Sequence, residues 1–149
     1  MSFQTHGDYA ARLRDSFARQ QAMTHLGITL ARAAAGAVDL AMPFDARLTQ
    51  QHGFIHAGIL TTALDTAAGF AAYSLMPDGA GVLTIELKTS LMFPAKGASF
   101  RFEGRVLKPG RTIIFTQARA FAEQESGARE IARLTATMMV VQGRAGITG

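Results

Sequence analysis

The sequence predicts an α+β fold in which one curved antiparallel sheet wraps a single long helix. Three observations predict it. The stretch Ala57–Met76 is apolar or small nearly throughout, so it reads as a helix with no solvent face. Almost everything after it alternates at strand spacing, and the connections between those strands are short and rich in turn residues. A helix that is apolar nearly all round must be enclosed, and strands joined by short turns pair antiparallel. The chain has 149 residues, enough for one domain with a substantial core, and residues 1–149 are read as that one domain.

The elements follow in order. Tyr9, Leu13 and Phe17 recur at four-residue spacing among Arg12, Arg14, Asp15 and Arg19, which predicts one amphipathic helix from Asp8 to about Leu26. Asp8 is its expected N-cap and Gly27 its expected stop; residues 1–35 are this helix and a lead-in. Val38, Leu40, Met42 and Phe44 alternate with Asp39, Ala41 and Pro43, a strand whose proline places its end at a sheet edge. The polar loop Asp45–His52 leads into the long helix, which should stop at Pro77-Asp78-Gly79. Four strands then follow: Leu83–Leu91, Phe100–Val106, Thr112–Glu123 and Ile131–Gln142. Turns at Lys108-Pro109-Gly110-Arg111 and Glu125-Ser126-Gly127 favour a meander, and the tail 143–149 is expected to be loose. A long helix wrapped by such a sheet is the hotdog arrangement.

Composition narrows the function. Apolar residues make up 48% and charged residues 17%, a folded globule's balance. With no cysteine, a disulfide framework, a thiolate metal site and a cysteine nucleophile are all excluded. The first residues lack the basic start and apolar run of a signal peptide, and a cytoplasmic location is expected. Asp65 inside Ala57–Met76, and the lack of Lys or Arg at its ends, argue against a membrane span. The net charge of +4 suits an anionic ligand. The basic residues are scattered, with no basic helix or RNP-like motif, so no nucleic-acid partner is expected.

The chemistry-bearing stretch is Gln50-Gln51-His52-Gly53-Phe54-Ile55-His56-Ala57-Gly58, continuing to Asp65. A helix N-terminus offers amides without intrahelical partners and partial positive charge. Small residues at Ala57 and Gly58 let a carbonyl oxygen approach those amides, an oxyanion hole built from backbone. Asp65 is the lone charge between His56 and Met76. Burying it is costly unless it is hydrogen-bonded or functional, so a satisfied core aspartate and a catalytic carboxylate both remain open. Ala57 and Asp65 lie eight residues apart, roughly 12 Å along one helix. Both cannot act on one carbonyl carbon within one chain, so a catalytic Asp65 implies a second subunit whose helix lies alongside.

The stretch resembles the active-site segment of the PaaI-like hotdog thioesterases, whose pattern is an amide residue, then His-Gly-Gly at the start of the central helix, then an acid along it. On that resemblance Gln50 takes the amide position, with Gln51 as its substitute if the loop register differs. His56-Ala57-Gly58 matches His-Gly-Gly, Asp65 the acid, and Thr84 in Thr84-Ile85-Glu86-Leu87-Lys88 a hydroxyl near the nucleophilic water. Phe93-Pro94-Ala95 and the later hairpin extend the likeness over roughly 48–141. Alanine replaces the first glycine, which matters little where only its amide is wanted. The resemblance implies an acyl-CoA or aryl-CoA thioesterase needing no metal or cofactor, active as a homodimer at least, with a homotetramer by family likeness. Arg105, Lys108 and Arg111 are candidates for the CoA phosphates.

Competing readings are weaker. His52 and His56 are four apart, but Gly53 between them and the missing further ligands argue against zinc. No Gly-x-Ser-x-Gly elbow is present for a serine hydrolase. A non-catalytic acyl-CoA-binding module and a hotdog hydratase share the fold. A sensor would carry a fused DNA-binding segment, for which one N-terminal helix is too little.

Overall fold

The computed structural model describes residues 2–149. Its elements are α1 (Tyr9–Ala18), α2 (Gln21–Leu26), β1 (Thr29–Ala34), β2 (Ala37–Pro43), a 3-10 turn (Ala46–Leu48), α3 (Ala57–Tyr73), β3 (Gly81–Leu91), β4 (Ser99–Lys108), β5 (Ile113–Gln124) and β6 (Gly127–Val141). All six strands form one antiparallel sheet in the order β1-β2-β4-β5-β6-β3. The sheet wraps α3, which packs against β2 through β6. This is the hotdog fold that the sequence predicts.

The N-terminal helix is two helices. Asp8 caps the first, accepting from the Ala11 amide at 3.1 Å, and Gly27 ends the second at φ 70°. Between them Gln20 is extended. The stripe Tyr9–Leu13–Phe17 meets Gln20 and Gln21 one turn later, so the helix has nothing apolar to bury there. The break re-aims the chain and sends Met23 into the core.

A strand was hidden in the lead-in. In β1, Thr-Leu-Ala-Arg-Ala-Ala has too little contrast between its faces to show alternation, yet it pairs with β2 through the turn at Gly36. β2 therefore lies inside the sheet, not at an edge. Pro43 is tolerated because β1 pairing ends at Ala41, and Phe44 beyond it donates to Ala98 on the β4 side. The proline's missing N–H would face the side where no strand remains.

The last four strands are a meander only from β4 to β6. β3 crosses to the far side of β6 and becomes an edge. The helix ends at Tyr73 and tightens into a turn, with the Leu75 and Met76 amides on Ala72 and Tyr73 carbonyls at 3.0 Å. The closest approach of helix and sheet is at Gly104 in β4, where a Cβ would lie 2.1 Å from the Ala67 carbonyl oxygen. The tail is docked and not loose. Ile147 packs on Gly81, and the Gly149 amide donates to Ala80 at 2.9 Å.

Candidate active site

Two half-sites lie on α3, one at its N-terminus and one two turns further along. The first is built by the loop before the helix. The His56 amide donates to Leu48 at 2.9 Å, the Ile55 amide to Ala95 at 3.2 Å and the Gln50 amide to Phe54 at 2.9 Å, so the loop folds back on itself. The Gln50 side-chain oxygen accepts from the His52 amide. His56 caps the helix, its Nδ1 accepting from the Gly58 amide at 2.9 Å. The Gly58 amide is thus spoken for, whereas the Ala57 amide has no acceptor among the described residues. It opens on a groove of about 500 Å³ lined by Gln50, His56, Ala57, Leu60, Leu91 and Phe93 among others. The structure therefore brings Gln50, His56 and Ala57 together.

The second half-site centres on Asp65. Thr84 in β3 donates its hydroxyl to the Asp65 carboxylate at 2.8 Å. A bulge between Thr84 and Glu86 resets the strand there, and Thr84 lies opposite Met138 on the helix-facing side. Burial pushes the Asp65 carboxyl above its ordinary value, and the Thr84 hydrogen bond only partly offsets this. A small cavity of about 200 Å³ opens beside it, lined by Gln20, Asp65, Thr66, Gly69, Phe70, Val82, Leu83 and Thr84.

No residue lines both spaces. Within one chain the Ala57 amide and the Asp65 carboxylate do not meet. Both spaces do reach β3, the first at Leu91 and the second at Val82–Thr84. Most of that strand is exposed: Leu83 is 40%, Ile85 52%, Leu87 38% and Leu91 52% accessible. An apolar sheet edge with unpaired backbone groups is a template for another strand.

The basic candidates are dispersed. Arg105 is held by Asp39 at 2.5 Å on β2, with Glu103 at 3.7 Å. Lys108 is exposed at the end of β4. Arg111 sits at the rim of a separate cavity of about 570 Å³ beside Phe3, Met76 and Ile114, beyond the far end of α3. Sequence reasoning missed Gln20 and Gly69 beside Asp65. Gly69 had a readable signal, a glycine one turn after Asp65 in a helix interior. Gln20 had none. No helix among the described residues is long and apolar enough to cross a membrane.

Comparison with known proteins agrees with the fold. A family model described as the thioesterase superfamily matches residues 52–128. A thioesterase family protein from Silicibacter pomeroyi has a crystal structure that is 50% identical. It covers 91% of this chain and 99% of its own, with a TM-score of 0.89. The proofreading thioesterase EntH of Klebsiella pneumoniae is 33% identical over 89 residues, 60% of this chain and 65% of that protein. The PaaI protein of the E. coli phenylacetic acid degradation operon shares the fold, with a TM-score of 0.78 at 18% identity over 94% of this chain and 96% of its own. With the family match spanning just over half its length, the chain belongs to the thioesterase superfamily and is a thioester hydrolase of the hotdog fold.

Proposed function

We propose that this hydrolase is an acyl-CoA thioesterase whose active site is shared between two copies of the chain. The observation that carries the reading is the separation on α3 of an unpartnered Ala57 amide from the Asp65–Thr84 pair, with the apolar β3 edge running past both. Pairing of two β3 edges about a two-fold axis near Leu87 sets Thr84 of one copy beside Ser90 and Leu91 of the other. Asp65 of one copy then faces the Ala57 end of its partner's helix. The minimum active unit is a homodimer, and dimers pair further into a homotetramer.

In this site the thioester carbonyl oxygen accepts from the Ala57 amide at the positive end of α3. Gln50, beside it, orients the carbonyl or the water. Asp65 takes a proton from water as the oxygen attacks the carbonyl carbon, with Thr84 holding carboxylate and water in register. The C–S bond breaks, the acid leaves, and the thiolate of CoA takes up a proton. Direct attack by Asp65 through an anhydride uses the same atoms. Of the three candidates, Lys108 and Arg111 are exposed and without ionic partners among the described residues, open to the CoA phosphates, whereas Arg105 would first have to leave Asp39. No metal or redox cofactor is required.

The test is a screen of short, medium, long-chain and aryl CoA esters with free-thiol detection, run beside Asp65→Asn. Wild type should release thiol from at least one ester. The variant should fall by ~10²–10⁴-fold, as expected for loss of a general base, while staying folded. Near-normal turnover in Asp65→Asn would sink the assignment.

A further inference from the structure

The sheet is longer than the helix it wraps. The 17 residues of α3 advance roughly 26 Å, whereas the 15 residues of β6 advance roughly 50 Å. Beyond Tyr73 the helix tightens into the turn at Leu75 and Met76, and it does not extend over the inner face of the sheet at Ile114 and Val140. Residues 2–8 close that end as a strap. Phe3 is seated on Gly36, where a Cβ would lie 2.5 Å from its ring. Arg12 fastens the other end of the strap. It donates to the carbonyl oxygens of His6 at 3.2 Å, Met76 at 3.0 Å and Pro77 at 3.3 Å, and pairs with Asp78 at 3.1 Å.

Under the strap lies the cavity of about 570 Å³, a size typical of pockets for small organic ligands. It shares no lining residue with either half-site on α3. Polar and apolar groups are segregated in it. Leu75, Met76 and Ile114 form a buried floor, while Gln4, Arg111 and Gln142 are exposed at its mouth. Arg111 is the one permanently charged side chain on the wall, and no acidic residue lines the space. A guanidinium without an ionic partner, set above an apolar floor, fits a ligand with an anionic head and an apolar tail. Its planar fork matches a carboxylate through two parallel hydrogen bonds.

We propose that this cavity is a second ligand site, for a medium-chain carboxylate whose head is held by Arg111 and whose tail lies on Leu75, Met76 and Ile114. Hydrolysis of a thioester releases a carboxylic acid, so the ligand belongs to the chemical class of the reaction's own product. The site takes Arg111 and leaves Lys108 to the CoA phosphates. It depends on neither Asp65 nor the pairing of two copies, so its failure would leave the shared active site untouched. Because the strap is its roof, occupancy also fixes residues 2–8.

The experiment is calorimetry of butyrate, octanoate, decanoate and octylamine with the whole chain at neutral pH. Affinity among the acids should rise about fourfold per methylene, the transfer value of a buried CH₂ group. Octylamine, equal in length to octanoate but opposite in charge, should bind at least tenfold more weakly. Arg111→Leu should weaken octanoate at least tenfold, with Arg111→Lys keeping part of the affinity. Val140→Phe, which puts a ring into the space, should abolish binding in a protein that still melts cooperatively. If that variant does not fold, the strap gives an independent reading. The chain has no tryptophan, so Gln4→Trp is a single reporter at the mouth, and octanoate should shift its emission saturably. Asp65→Asn should bind octanoate within twofold of wild type. A tenfold change in Asp65→Asn would place the acid at the half-site instead, and displacement of octanoate by free CoA would assign Arg111 to the substrate. Either result overturns the second site. So does the absence of binding by every acid, an affinity indifferent to Arg111→Leu, or an unmoved Gln4→Trp emission.

Discussion

Asp65 illustrates how a single side chain can oppose the fold that holds it. Burial raises its pKa, so the folded chain binds that proton more tightly than the unfolded chain does. The stability it contributes is complete below the ordinary carboxylate pKa of ~3.9 and is lost as pH rises through the raised folded value. At neutral pH the native state carries a desolvated charge with one hydroxyl partner. Asp65→Asn is therefore expected to melt higher than wild type at pH 7, with the gap closing toward pH ~4, while its turnover falls by the ~10²–10⁴-fold expected for loss of a general base. A variant that melts lower at pH 7 would make Asp65 a structural residue. The wild-type rate should fall on acidification with a midpoint above the ordinary carboxylate range, because protonated Asp65 cannot accept a proton from water.

At the scale of elements, the fit between α3 and β4 sets the position of both half-sites. The helix lies on the sheet through small residues, Ala63, Ala67 and Ala71, all fully buried, and Gly104 is the point where backbone meets backbone. Gly104→Ala would force the two apart. We expect a loss of ~1–3 kcal/mol, the usual cost of overpacking, read by denaturant midpoint, with turnover falling further than stability because the helix carries both groups of the proposed site. Unchanged stability would mean that the layers can separate freely at that point. The outer face is organised differently. Glu130 on β6 is bonded by Arg119 at 2.6 Å and by Arg133, which pulls its pKa down to about 2. Arg101 and Arg119 flank Phe121, at 4.5 Å and 4.8 Å from its ring. Charge pairing thus covers the side of the sheet that the helix does not.

For the whole molecule, the proposed shared site makes activity and assembly inseparable. Mixing Asp65→Asn with Ala57→Pro chains is the direct test. Proline is tolerated at the first position of a helix and removes only the amide donor there, and His56 before it is already extended, as a residue preceding proline should be. Each homodimer should be inactive. A verified random mixture should recover about a quarter of wild-type turnover, since half the dimers are mixed and each holds one intact site. Verified mixed dimers without activity would place the catalytic groups within one chain.

Sequence alone determined the architecture's main terms. The all-round apolarity of Ala57–Met76 demanded an enclosing sheet, the strand alternation supplied it, and local chemistry fixed Asp8 as a cap and Gly27 as a stop. The incompatibility of Ala57 and Asp65 within one helix was also legible, because helical rise depends only on residue count. Tertiary structure decided the rest. β1 was illegible because alanines on both faces leave no period to read, and pairing with β2 alone makes it a strand. The placing of β3 beyond β6 follows from wrapping α3, and no local pattern records which edge a strand will join. Gln20 and Gly69 are 49 positions apart, one at a helix break and one in a helix interior. Only the packing of α1 over α3 brings them to the same cavity as Asp65, because proximity across elements is a property of the folded core and not of any window of sequence.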